Sequence, residues 1–217
     1  MKKFSRLILI YLVGFIFTAC TTLTDMTKMG TSGDLQYDFD IARLNHLEKI
    51  SGYIEQYKNI TGKYPFQGKT ELQNYVYIAT KGQQKYTKQM APPYSHLLSN
   101  INPFIAELQS KLGQDIQMPF DPQRVPVNKP NFYIYMIEGD TYYVAVHVHN
   151  DYSFSNKLAN YYNKVEVTNN ASRNRTGTWF RDDLINNPEF IKARNAAPNK
   201  PGYTEHLMQK LGGNNAF

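Results

Sequence analysis

The sequence predicts an α+β domain: a long N-terminal amphipathic helix packed on a small antiparallel sheet, followed by a partly helical C-terminal extension. Three observations predict it. An apolar stripe at helical spacing runs from Ile41 to Tyr57. Two alternating apolar segments flank a glycine turn at Glu138-Gly139-Asp140. The mean hydropathy of −0.53 belongs to a water-soluble chain, and the long apolar run is confined to the first 20 residues.

That first segment is a leader. Lys2, Lys3 and Arg6 precede the uncharged, proline-free run Leu7–Phe17, which ends in Thr18, Ala19 and Cys20. The run is shorter than the roughly 20 apolar residues of a transmembrane helix but fits a cleaved secretory signal of about 7–15. Phe17-Thr18-Ala19-Cys20 resembles the lipobox of bacterial lipoproteins, with Phe17 where Leu is usual. The resemblance implies cleavage before Cys20, a diacylglycerol thioether on its sulfur and acylation of the new amine. It makes the membrane a partner through those acyl chains. Thr21 in place of Asp implies an outer-membrane location facing the periplasm. Cys20 is the only cysteine, so an acylated chain has no thiol for a disulfide and relies on its core.

Cleavage also changes the charge. Residues 1–19 hold three of the 24 basic residues and none of the 18 acidic ones, so the formal charge falls from +6 to +3. The densest basic group, Arg173, Arg175 and Arg181, lies in a polar stretch that reads as a solvated loop. No nucleic-acid partner is expected from that pattern.

The expected organisation is a signal peptide at 1–19, a lipidated cysteine and flexible tether at 20–36, an α+β domain at 37–168 and an extension at 169–217. The tether is rich in Thr, Ser and Gly. The helix is expected over Asp38–Thr61: Ile41, Leu44, Leu47, Ile50, Ile54 and Tyr57 form the stripe, and Arg43, Glu48, Lys49, Glu55 and Lys58 the opposite face. Asp38 or Asp40 would cap its start and Gly62 would close it. Leu72, Tyr75, Val76 and Ala79 suggest a short helix over Thr70–Thr80, and Lys81–Pro93 reads as loop.

Asn102-Pro103 is a helix start, with Asn as cap and Pro at the first turn, and Gly113 marks the end. Four prolines between 118 and 130 exclude helix and central strand. Phe132–Ile137 and Thr141–His149 form the hairpin. Tyr142, Val144, Val146 and Val148 share the face toward the long helix, and Tyr143, Ala145, His147 and His149 the other. Beyond it, Ser155–Asn163 suggests a short helix and Lys164–Thr168 a strand. Asn187-Pro188-Glu189 reads as another helix start, and Thr204–Leu211 as a final amphipathic turn or two.

Two segments resemble the globular part of type II secretion pseudopilins and related type IV pilin-like proteins. One is Ala42–Pro65, ending in the step Gly62-Lys63-Tyr64-Pro65. The other is Met118–Val148, with Pro119-Phe120-Asp121-Pro122, then Tyr133-Ile134-Tyr135, Gly139 and Tyr142-Tyr143. The resemblance implies a helix-on-sheet fold without enzymatic activity. The family's processing site and polymerising apolar helix are replaced here by the lipobox and a polar tether.

Catalytic patterns are missing: there is no Gly-x-Ser-x-Gly, His-Glu-x-x-His or P-loop. His147 and His149 are the best candidate metal ligands, since residues i and i+2 of a strand point the same way. A third ligand would have to come from His46, His96 or His206, and zinc needs one. Asp182-Asp183 reads as favourable acid at a helix N-terminus. No metal or cofactor is assigned. Tyr133, Tyr135, Tyr142, Tyr143, Tyr161 and Tyr162 concentrate near the hairpin, where they either cover a sheet face or present a binding surface.

The leading expectation is a non-enzymatic, membrane-anchored module that binds or assembles with an envelope protein of a secretion or pilus system. The alternatives are a solute- or glycan-binding lipoprotein with an aromatic cleft and, last, a metal-dependent envelope hydrolase using His147 and His149.

Overall fold

Helical spacing in the sequence becomes one long helix, α1, over Gly33–Thr61. The protein is described from a computed structural model covering residues 33–69, 74–79, 96–98, 101–113, 116–122, 132–159, 162–173 and 176–198. The stripe Ile41, Leu44, Leu47, Ile50, Ile54 and Tyr57 is buried along its length. Burying each Leu or Ile contributes about 1.5–3 kcal/mol. Gly62 closes the helix at φ 76°, its N–H donating to the Lys58 carbonyl at 2.8 Å.

Two expectations for α1 are corrected. It starts before Asp38 and takes in residues 33–36, so neither Asp38 nor Asp40 caps it; both lie inside the helix and are buried. Arg43 does not join the solvent face. It is 2% exposed, because two carboxylates meet it inside.

The next element is strand β1, Asn74–Ile78, and not the expected helix. Its residues alternate, with Val76 and Ile78 in the main core and Tyr77 on the opposite face. Five residues pair with β3, so ladder bonds override the weak helical spacing. Strand β2, His96–Leu98, runs parallel to β1. Lys81–Pro93 lies outside the described residues.

Helix α2, Asn102–Leu112, carries Pro103 in its first turn and ends at Gly113, φ 63°. Ile101 occupies the cap position, one residue earlier than expected, and Asn102 is the first residue of the helix. Glu107 on α2 fastens the corner after α1. It accepts the Tyr57 hydroxyl at 3.1 Å and the Phe66 N–H at 2.9 Å, and pairs with the Lys69 ammonium.

The hairpin is formed by β3, Tyr133–Glu138, and β4, Thr141–Val148. Strand β5, Asn156–Ala159, replaces the helix expected there, and β6, Tyr162–Thr168, includes the expected 164–168 strand. A 3₁₀ turn, Ala171–Arg173, leads to β7, Thr178–Phe180. The described strands form one sheet in the order β2-β1-β3-β4-β6-β5, and β7 also pairs with β6. The central pairs are antiparallel, while β1/β2 and β6/β7 are parallel.

The core lies between α1 and one sheet face, where Tyr133, Tyr135, Ile137, Tyr142, Val144, Val146, Val148, Val165 and Val167 meet the α1 stripe. The described chain after 169 is part of this core through two further helices. Helices α3, Arg181–Ile185, and α4, Pro188–Arg194, contribute Leu184 and Phe190. Asn187 caps α4 as its sequence predicts, accepting the Glu189 and Phe190 N–H groups. Trp179 donates its indole N–H to the Phe154 carbonyl at 2.8 Å. Thr204–Leu211 lies outside the described residues.

Candidate functional site

The most unusual chemistry of the described residues is a buried polar clasp at the α1 start. Arg43 points inward from α1. Its Nε and Nη2 donate to the two carboxylate oxygens of Asp121 at 2.8 and 3.0 Å, a bidentate pair. Its Nη1 donates to Asp40 Oδ1 at 3.2 Å. Asp40 in turn accepts the backbone N–H groups of His149 and Asn150 at 2.9 Å each and the Asn150 amide at 2.9 Å. The carboxylate that looked like a helix cap therefore terminates β4. Pro119 and Pro122 bracket Asp121 in a non-helical loop, which brings it to α1 from 78 residues away.

Charge follows geometry. Burial alone would lower the Arg43 pKa, but Asp121 and then Asp40 hold it above its ordinary value. Burial raises the Asp40 carboxyl, opposed by Arg43 and the Asn150 and His149 N–H groups. One turn along α1, His46 Nδ1 lies 2.7 Å from the Tyr133 hydroxyl. Burial, then Lys49 and Arg43, push the imidazole down to about 3. Burial keeps the Tyr133 phenol well above its usual range. The clasp is thus an ion-paired centre beside a neutral His–Tyr pair, chemically suited to locking a helix, a loop and a strand end together.

The residues singled out by sequence are scattered. His147 sits on β4, 9% exposed, in register with Lys164. His149 lies one residue past the strand, half-buried, with its backbone N–H on Asp40. His46 is committed to Tyr133. His96 lies on β2, its side chain outside the described set, as are His206 and Cys20. Among the described residues no group of three or more His, Cys, Asp or Glu could hold a metal ion. Asp182 and Asp183 occupy the first turn of α3.

Of the two readings of the tyrosines, the described ones follow the first and cover a sheet face rather than present a binding surface. Tyr133, Tyr135, Tyr142 and Tyr143 are buried. Tyr135 donates to the Pro65 carbonyl at 2.7 Å and stacks on Phe104. Tyr142 packs against Tyr64, ring centres 4.9 Å apart. Aromatic enrichment here builds core. Tyr161 and the Tyr162 side chain lie outside the described set. The clasp itself was missed; the available signal was Asp121 between two prolines, within reach of a helix whose otherwise apolar stripe is flanked by Arg43.

No protein-family model, curated protein or solved structure matches the chain. Among the described residues no helix is long and apolar enough to cross a membrane.

Proposed function

We propose that this protein is a lipidated cell-envelope protein whose pilin-like α+β domain works, without catalysis, as a binding or assembly module of a secretion or pilus system. The observation that carries the proposal is Phe17-Thr18-Ala19-Cys20 behind a basic and then apolar leader. Diacylation at Cys20 would hold the chain stably, since two acyl chains suffice where one is marginal. The pilin-like part is supported by a long helix packed on a sheet that contains the β3–β4 hairpin. It is also supported by where the two resembling motifs fall. Tyr64-Pro65 turns the chain into the core at the end of α1, and Asp121 of Pro119-Phe120-Asp121-Pro122 grips its start.

The test is metabolic labelling of the full chain in a bacterial host with an alkyne fatty acid. The wild type should label and sediment with membranes, and Cys20→Ser should do neither. An unlabelled wild type, or a labelled Cys20→Ser, overturns the anchor. Cross-linking in intact cells then addresses assembly: recovery of secretion or pilus components is expected, and their consistent absence removes that link.

A further inference from the structure

Ile60 and Leu158 are the large apolar side chains left exposed among the described residues, at 60% and 47%. They lie at opposite ends of the body. Ile60 is in the last turn of α1. The other end follows from the register. The β4 end meets the α1 start through Asp40 and the His149 and Asn150 N–H groups. Val148 pairs with Asn163, and β5 runs against β6 so that Lys157 faces Asn163 and Ala159 faces Tyr162. Leu158 therefore lies at the end where α1 begins. Exposed Lys157 and half-buried Tyr37 and Tyr152 are at the same end. Tyr152 stacks on Phe154, and the Tyr37 phenol is near enough to add to the upward push on Tyr152. Asp151 is an exposed acid at that end.

We infer that this end rests on the lipid headgroups of the membrane that carries the anchor, leaving the Ile60 end facing away. The inference rests on the acylated Cys20 proposed above. Chain length supports it. Twelve residues separate Cys20 from Gly33, a span of at most about 40 Å. Ile60 lies 27 residues further along α1, about 40 Å down the helix axis. Standing the body upright on its Ile60 end would require nearly full extension of the connecting chain, whereas the Leu158 end requires none. The composition also fits: Tyr rings and Lys beside an apolar side chain suit the headgroup level, where amphipathic side chains settle. The acyl chains hold the protein, and this contact sets which way the body faces.

The experiment uses the full, lipidated protein in phosphatidylethanolamine–phosphatidylglycerol vesicles. Because Cys20 is the only native cysteine, and acylated, Leu158→Cys and Ile60→Cys each offer one free thiol for a nitroxide. Lys157→Cys is a second probe beside Leu158. Collision with membrane-dissolved oxygen, relative to a water-soluble nickel chelate, should be several-fold higher at 157 and 158 than at 60. Equal ratios at both ends, a higher ratio at 60, or protection of 158 from both colliders overturns the orientation while leaving acylation intact. A wild type that fails to float with vesicles defeats the anchor, and the orientation with it.

Discussion

His46 is a histidine held neutral by its surroundings. It lies among buried groups, bonded to Tyr133 and repelled by Lys49 and Arg43. Its folded pKa is lowered to about 3 from 6.5, so below pH 6.5 the unfolded chain binds the proton and the folded chain does not. The stabilisation is full above pH 6.5 and is lost as pH falls toward 3. Between pH 7.5 and 5 the wild type should lose about 2 kcal/mol through this group. Urea unfolding at the two pH values measures it, and His46→Gln, which can still bond Tyr133, should shrink the difference. An undiminished difference in that variant would reject the assignment. Arg43 shows why such residues are hard to read from sequence. A charge flanking an apolar stripe is ordinarily solvated, and here Asp121, far along the chain, joins Asp40 in making burial tolerable.

At the level of elements, two glycines do different jobs at similar backbone angles. Gly62 has φ +76° and open space around a notional side chain, whereas Gly177 has φ +71° and Asn156 in the way, its Cβ at 2.3 Å and its N at 2.7 Å from such an atom. Gly62→Ala should therefore cost about 1–2 kcal/mol, the left-handed penalty alone. Gly177→Ala should cost at least 1–3 kcal/mol more, from overlap with backbone that cannot swing aside. Thermal unfolding of the two variants compares them directly, and equal losses would contradict the close approach.

The same level shows what the sequence makes legible. β4 is plain, because Thr141–Val148 is rich in valine and tyrosine and follows the Gly139 turn. Asn74–Ile78 is too short for its period to separate strand from helix. Ser155–Ala159 has no β-branched residue, and its strand character comes from pairing with β6. At the site, the lone charged residues were visible but their partners, supplied by tertiary structure, were not.

For the whole molecule, the chain after 169 is structural. β7 adds to β6, Leu184 and Phe190 enter the core, and α3 and α4 reach back to α1: Arg181 Nε donates to Ser51 Oγ at 3.1 Å, and Asn45 donates to the Arg194 carbonyl at 3.1 Å. A chain ending at Asn169 should lose cooperative unfolding and become readily cleaved by protease. A cooperative 1–169 chain would show the last elements to be dispensable. The division read from sequence at 169 followed the polar stretch after β6, and the apolar residues that return to the core beyond it, Trp179, Leu184 and Phe190, are too widely spaced to announce themselves.

The Arg43 clasp also sets a timetable. Helix α1 is made early, but the carboxylate that neutralises its buried guanidinium arrives 78 residues later, and the N–H groups that satisfy Asp40 arrive 109 and 110 residues later. Burying Arg43 before then would strand a charge in an apolar interior, at a cost of several kcal/mol. The growing chain therefore has a reason to stay open until residue 150 has followed.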